Sequence, residues 1–132
     1  MPMWVYVALG GALGAWLRYA ISGWVYDRLG VWFPWGTLVV NLLGSLGMGV
    51  ALAFVEERMI SPELRMGVLV GLVGALTTFS TFELETLQLL RDGEWGWAWL
   101  YFGGSAFLGL GLVWGGWQLA RGLLGYLQEV AR

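Results

Sequence analysis

The chain has 132 residues, 58 % of them hydrophobic, and carries seven arginines, nine acids, no lysine, no histidine and no cysteine, for a net charge of −2. So apolar a composition is foreign to a soluble domain of this size. Scattered arginines form no nucleic-acid footprint, the lack of histidine removes the commonest zinc ligand and proton shuttle, and the lack of cysteine excludes disulfides and thiol chemistry.

No charged residue lies between Arg28 and Glu56, between Arg65 and Glu83, or between Glu94 and Arg121. The first and last of these gaps exceed the roughly 20 residues that a bilayer-spanning helix needs. The expected fold is therefore an all-α membrane protein forming one transmembrane domain over residues 1–132, with four spans.

The first span is expected at about residues 4–26. Its Gly10-Gly-Ala-Leu-Gly14-Ala run sets small residues four apart, which suits close helix approach. Met1-Pro-Met has no positive side chain, and the residues around Trp16-Leu-Arg18 do not resemble a cleavage site, so this segment reads as retained. Arg18 lies deep enough to matter, either snorkelling to the interface or placing a positive charge near a vestibule.

The second span, about residues 34–55, starts after the Pro34-Trp-Gly turn, with proline in the first helical turn. Thr37, Asn41 and Ser45 recur every fourth residue and share a face. An amide in hydrocarbon is costly unless it is hydrogen-bonded, so Asn41 reads either as a clasp between helices or as a donor to something polar. Ser61-Pro62 then resembles a cap followed by a first-turn proline.

The third hydrophobic stretch, about residues 63–76 plus 80–91, contains Gly71-Leu-Val-Gly-Ala-Leu-Thr-Thr-Phe-Ser-Thr-Phe-Glu-Leu-Glu85. Its glycines and hydroxyls suit an uninterrupted lipid-facing helix poorly. Ser80-Thr-Phe-Glu83 fits a capping box and predicts a helix restarting near Ser80. Two outcomes stay open: a helix broken at membrane depth, tolerated only where protein, ion or water satisfies its freed backbone, or a helix ending at Leu76 and followed by an interfacial one. Phe79 and Phe82 could turn electropositive ring edges to an anion, or simply pack.

The fourth span is expected at about residues 95–119. Tyr101, Ser105 and Gly109 form a small or polar stripe, and Gly111/Gly115 reads as a close-packing pair. Most of the ten tryptophans fall near helix ends, as an interfacial belt would place them. Four spans put Arg58, Arg65, Arg121 and Arg132 on one face and Arg28 and Arg91 on the other, with Arg18 joining the latter if it snorkels there. That bias is weak enough for insertion in both orientations. The residues do not support an enzyme: the hydroxyls lack a histidine or lysine base, and Glu83 and Glu85 fall on different faces of a helix.

Three stretches together carry a resemblance. Gly10-Gly-Ala-Leu-Gly14-Ala-Trp-Leu-Arg18-Tyr, Pro34-Trp-Gly-Thr-Leu-Val-Val-Asn41-Leu-Leu-Gly44 and Gly71-Leu-Val-Gly74-Ala-Leu-Thr-Thr-Phe-Ser-Thr-Phe82 are similar to the signatures of the CrcB/Fluc family of fluoride channels. The resemblance implies a dual-topology antiparallel homodimer in a cell inner or plasma membrane, passing fluoride passively through two pores. It implies a structural sodium ion at the dimer interface, held by backbone carbonyls of Gly74 and Thr77. It further implies that Asn41, Phe79 and Phe82 line the pore, that Thr37, Tyr101, Ser105 and Glu85 lie along or near the ion path, and that Arg18 stands near the vestibule. Gly109 departs from the pattern, since a hydroxyl is expected there in some relatives. Two readings from other classes are a compact proton-coupled multidrug transporter, which would want a carboxylate in the first span, and a non-conducting structural subunit.

Overall fold

A computed structural model describes residues 1–131, all of whose regular structure is helical. Arg132, one of the arginines counted on the terminal face, lies outside the described residues. The long elements are α1 (Met3–Leu29), α2 (Trp35–Glu56), α3 (residues 62–76), α4 (Phe79–Arg91) and α5 (Trp95–Val130). Three stretches, Trp35–Glu56, Pro62–Arg91 and Trp95–Val130, are long and apolar enough to cross a membrane, which makes this a multi-pass membrane protein. α1 has 27 residues and the length to span, but glycines and Arg18 dilute its apolar character.

The helices meet where side chains are missing. A Cβ on Gly10 would strike the Gly67 carbonyl oxygen, and one on Gly14 would strike the Leu72 carbonyl oxygen, so α1 lies directly on α3. A Cβ on Gly49 would meet the Val113 carbonyl oxygen and one on Gly116 the Leu46 carbonyl oxygen, which brings α2 against α5. The sequence pair Gly111/Gly115 plays no part in these contacts, since both face open space. Four-residue spacing identifies a small face of a helix but not which of several such faces a neighbour takes.

α3 starts as its sequence signals: Ser61 Oγ accepts the Leu64 N–H at 3.2 Å, with Pro62 in the first turn. After Pro62–Met66 the helix widens into a π-helical stretch over Gly67–Val73, tightens to one α-turn over Gly74–Leu76, and stops. Thr77 and Thr78 are extended (ψ 156° and 115°), and α4 begins at Phe79. The break faces the first half of α2, where Thr77 would collide with any side chain at Gly44. Gly44 is nine residues into α2, or about 14 Å along its axis. The interruption therefore sits at the depth of a membrane span rather than at its end.

The expected Ser80–Glu83 capping box is not the one formed. Thr78 is the N-cap: its Oγ1 accepts the Thr81 N–H at 3.3 Å and donates to Thr81 Oγ1 at 2.9 Å. Two extended residues end at Thr78, so Ser80 is already helical and its hydroxyl has no cap to make. Beside α4, an aromatic core of Phe33, Phe82, Leu89, Ala98 and Tyr101 ties the α1–α2 connection to α4 and α5.

Candidate functional site

Two polar constellations lie at or beside the break between α3 and α4. The first is built by Asn41. Thr77 N–H closes the last turn of α3 on the Val73 carbonyl at 3.1 Å. The next donor, Thr78 N–H, does not return to the Gly74 carbonyl; it goes to Asn41 Oδ1 at 2.8 Å, while Asn41 Nδ2 donates to the Thr78 carbonyl at 3.2 Å. The side-chain amide thus pairs with a peptide unit as one strand does with another. The pairing also fixes the amide's orientation, because an N–H can only face the oxygen. Asn41 is a clasp between α2 and the break, and its second Nδ2 proton has no partner among the described residues. It lines a cavity of about 300 Å³ with Ser45, Thr77, Thr78, Phe79 and Val113.

The second constellation surrounds the Glu85 carboxylate. Thr37 Oγ1 donates to Glu85 Oε1 at 2.7 Å, Tyr26 OH donates to the same oxygen at 3.2 Å, and Tyr101 OH donates to Oε2 at 2.8 Å. Four helices therefore meet at one carboxylate. Tyr101 is 1 % exposed and held edge-on by Phe33 and Phe82, at ring-centroid distances of 5.5 and 5.0 Å. Charge-assisted bonds from neutral hydroxyls are how a carboxylate survives out of water.

Arg18 connects the two constellations. Its Nη1 donates to the Thr77 carbonyl at 3.4 Å, and its side chain lines a cavity of about 430 Å³ that also reaches Thr37, Thr78, Thr81 and Glu85. Arg18 therefore points inward to the break. A further cavity of about 240 Å³ lies beyond Glu85, lined by Trp32, Pro34, Gln88 and Asp92 as well as Tyr26.

The structure thus brings Thr37, Glu85 and Tyr101 into one cluster, and Asn41 to the break beside it. The two phenylalanines part company. Phe79 is 70 % exposed at the rim of the Asn41 cavity, whereas Phe82 is buried between Tyr101 and Phe102, its ring 6.0 Å from that of Phe79. Ser105 joins neither cluster, and its buried Oγ has no hydrogen-bond partner among the described residues. At the next level down α5, a Cβ on Gly109 would come within 3.3 Å of Ser45 Oγ, so α2 supplies a hydroxyl where α5 has none. Tyr26 was missed by the sequence reading. A lone tyrosine in the last turns of an apolar helix looks like one more interfacial aromatic, and its partner is 59 positions away.

Gly74 and Thr77 form the exposed end of α3. The Gly74 carbonyl has lost its ordinary helical donor to Asn41, and Gly74 itself is exposed. Thr77 offers its carbonyl in the extended segment, shared with Arg18. Neutral carbonyls at the negative end of a helix suit a cation.

Comparison with known proteins extends over the same elements. The family described as CrcB-like protein, Camphor Resistance (CrcB), matches residues 5–117. A protein of Acidobacterium capsulatum named fluoride-specific ion channel FluC is 48 % identical over 112 residues, covering 84 % of this chain and 90 % of the relative. Two Thermus thermophilus proteins carry the same name. One is 50 % identical, covering 90 % of this chain and 94 % of its own length. The other is 48 % identical, covering 95 % of this chain and its own entire length.

Proposed function

The chain belongs to the CrcB family, and from that premise we propose that it is a passive, fluoride-selective ion channel, not an enzyme, which lets fluoride leave a cell down its gradient. The observation that carries the reading is the break at Thr77–Thr78: an interrupted helix at membrane depth, held open by Asn41 and flanked by cavities that amide, hydroxyl and guanidinium groups reach. Fluoride is small and holds its water tightly, so no route through hydrocarbon exists unless donors replace that water in stages. The remaining Nδ2 proton of Asn41, the hydroxyl of Ser45 and the edge of Phe79 supply such donors around one cavity, with Arg18 raising the local anion concentration. Thr37 and Glu85 line the continuation, and Tyr101 holds the carboxylate from the aromatic core behind it. Ser105, whose buried hydroxyl has no partner among the described residues, is assigned to the same route as a donor to ion or water. Phe82 acts from beneath, setting the plane of Tyr101 and approaching Phe79.

The working unit in this proposal is an antiparallel homodimer of four-span subunits inserted in both orientations, with two pores. The reason is physical. Irregular backbone at membrane depth cannot face lipid, yet Gly74 is exposed and Phe79 lies 70 % exposed beside the break. A second copy, turned over, would cover both breaks with each other. It would also bring the carbonyls of Gly74 and Thr77 from both chains around one sodium ion, which neutralises the facing helix ends. The donors fit that role, with the Arg18 contact limiting how much of the Thr77 carbonyl remains for the ion.

The test is release of fluoride and of chloride from proteoliposomes loaded with each salt, followed by ion-selective electrodes after potassium permeability is supplied. Fluoride is expected to leave and chloride to stay. Release of both anions at equal rates, or of neither, would sink the proposal. Proton-driven efflux of organic cations by the same vesicles would favour the drug-transporter reading.

A further inference from the structure

The conduction reading leaves one residue of the Glu85 cluster without a role. Two cavities meet at this cluster: the inner one of about 430 Å³, with Arg18 in its wall, and the outer one of about 240 Å³, with Gln88 and Asp92 in its wall. Tyr26 and Glu85 line both, and they are hydrogen-bonded to each other at 3.2 Å. The Tyr26–Glu85 pair is therefore part of the partition between the two spaces.

The three donors to Glu85 are held very differently. Thr37 is 4 % exposed and bonds at 2.7 Å; Tyr101 is 1 % exposed, bonds at 2.8 Å and is wedged between aromatic rings. Tyr26 is half-buried, its hydroxyl 3.2 Å from Glu85 and 3.5 Å from Thr37 Oγ1, the two longest contacts of the cluster. The ring is located by Gly36, since a Cβ there would overlap it, so the partition depends on a glycine in the first turn of α2. With the ring fixed and the hydroxyl loosely bound, the Tyr26 proton can turn to another acceptor without moving a helix.

On the premise that the protein conducts fluoride, we infer that Tyr26 is a residue of the ion path. Its hydroxyl donates to Glu85 when the path is empty and to fluoride as the ion crosses between the two cavities. An anion passing a carboxylate needs a donor at closest approach, and Tyr26 is the one member of the cluster that faces both cavities with a proton to give. Thr37 and Tyr101 meanwhile continue to hold the carboxylate in place. No bond is made or broken; the hydroxyl changes its acceptor.

The experiment compares fluoride release from liposomes containing the parent, Tyr26→Phe, Tyr26→Gln, and Tyr126→Phe as a control on the exposed tail. All are normalised to folded dimer measured by size exclusion. Removing a donor to a charged acceptor is expected to slow release about tenfold in Y26F, with chloride still excluded. Y26Q, which returns an N–H donor at similar reach, should recover part of that loss, and Y126F should match the parent. Release by Y26F at or above the parent rate overturns the inference, as does Y26Q no faster than Y26F. A parent that releases no fluoride fails the channel reading itself, and this inference falls with it.

Discussion

At the scale of single residues, Asn41 shows how one amide can be structural and still leave a hand free. Its oxygen and one N–H are spent on the Thr78 peptide unit, which has no helical partner on either side of the break. Asn41→Ala strands that N–H and carbonyl among apolar helices, each at a cost of about 1–3 kcal/mol. The variant is expected to lose fluoride release and to melt at a lower temperature in detergent. A variant with parental melting behaviour would mean that water or lipid headgroups satisfy the break. The spacing of Thr37, Asn41 and Ser45 was readable from sequence, because every fourth residue of a helix faces the same way. What each would touch was not, because their partners, Glu85, Thr78 and the space beside Gly109, lie far away in the chain.

At the scale of elements, α3 and α4 owe their geometry to what their neighbours lack. Glycines in α1, α2 and α5 let backbones touch, so a Cβ at Gly14 or Gly49 has nowhere to go. Gly49→Val should push α2 from α5 by forcing a methyl against the Val113 carbonyl, an overpacking cost of about 1–3 kcal/mol, whereas Gly122→Ala, at a glycine facing open space, should leave melting unchanged or slightly raised. Thermal melts of the two purified variants separate these outcomes. The break itself was visible in sequence as an excess of hydroxyls and glycines in a hydrophobic run. Its position slipped by two residues because Ser80-Thr-Phe-Glu83 and Thr78-Phe-Ser-Thr81 are both legal caps, and the Asn41 pairing selects the second.

At the scale of the whole molecule, the exposed polar break and the even spread of arginines point the same way. In the proposed four-span topology, Arg58, Arg65 and Arg121 on the terminal face against Arg28 and Arg91 on the other would give little bias to orientation, and an antiparallel pair would use both insertions. If sodium bridges the two breaks, replacing it with N-methyl-D-glucamine during purification should lower the dimer fraction in light scattering and slow fluoride release, and restoring sodium should recover both. A dimer indifferent to sodium would leave the facing carbonyls to be satisfied by Arg18 or by water.

The sequence by itself determined that this is a helical membrane protein and marked residues 71–85 as ill-suited to an uninterrupted helix, because hydropathy, charge gaps and residue spacing are local properties of a chain. It also carried the family, because three motifs in order leave little room for coincidence. Only the tertiary structure decided which glycines are contacts, that Thr78 and not Ser80 caps α4, that Phe82 lies in the aromatic core while Phe79 stays exposed, and that Tyr26 joins the Glu85 cluster. Each of those depends on the rotation of one helix against another. Periodicity leaves that phase open, and packing closes it.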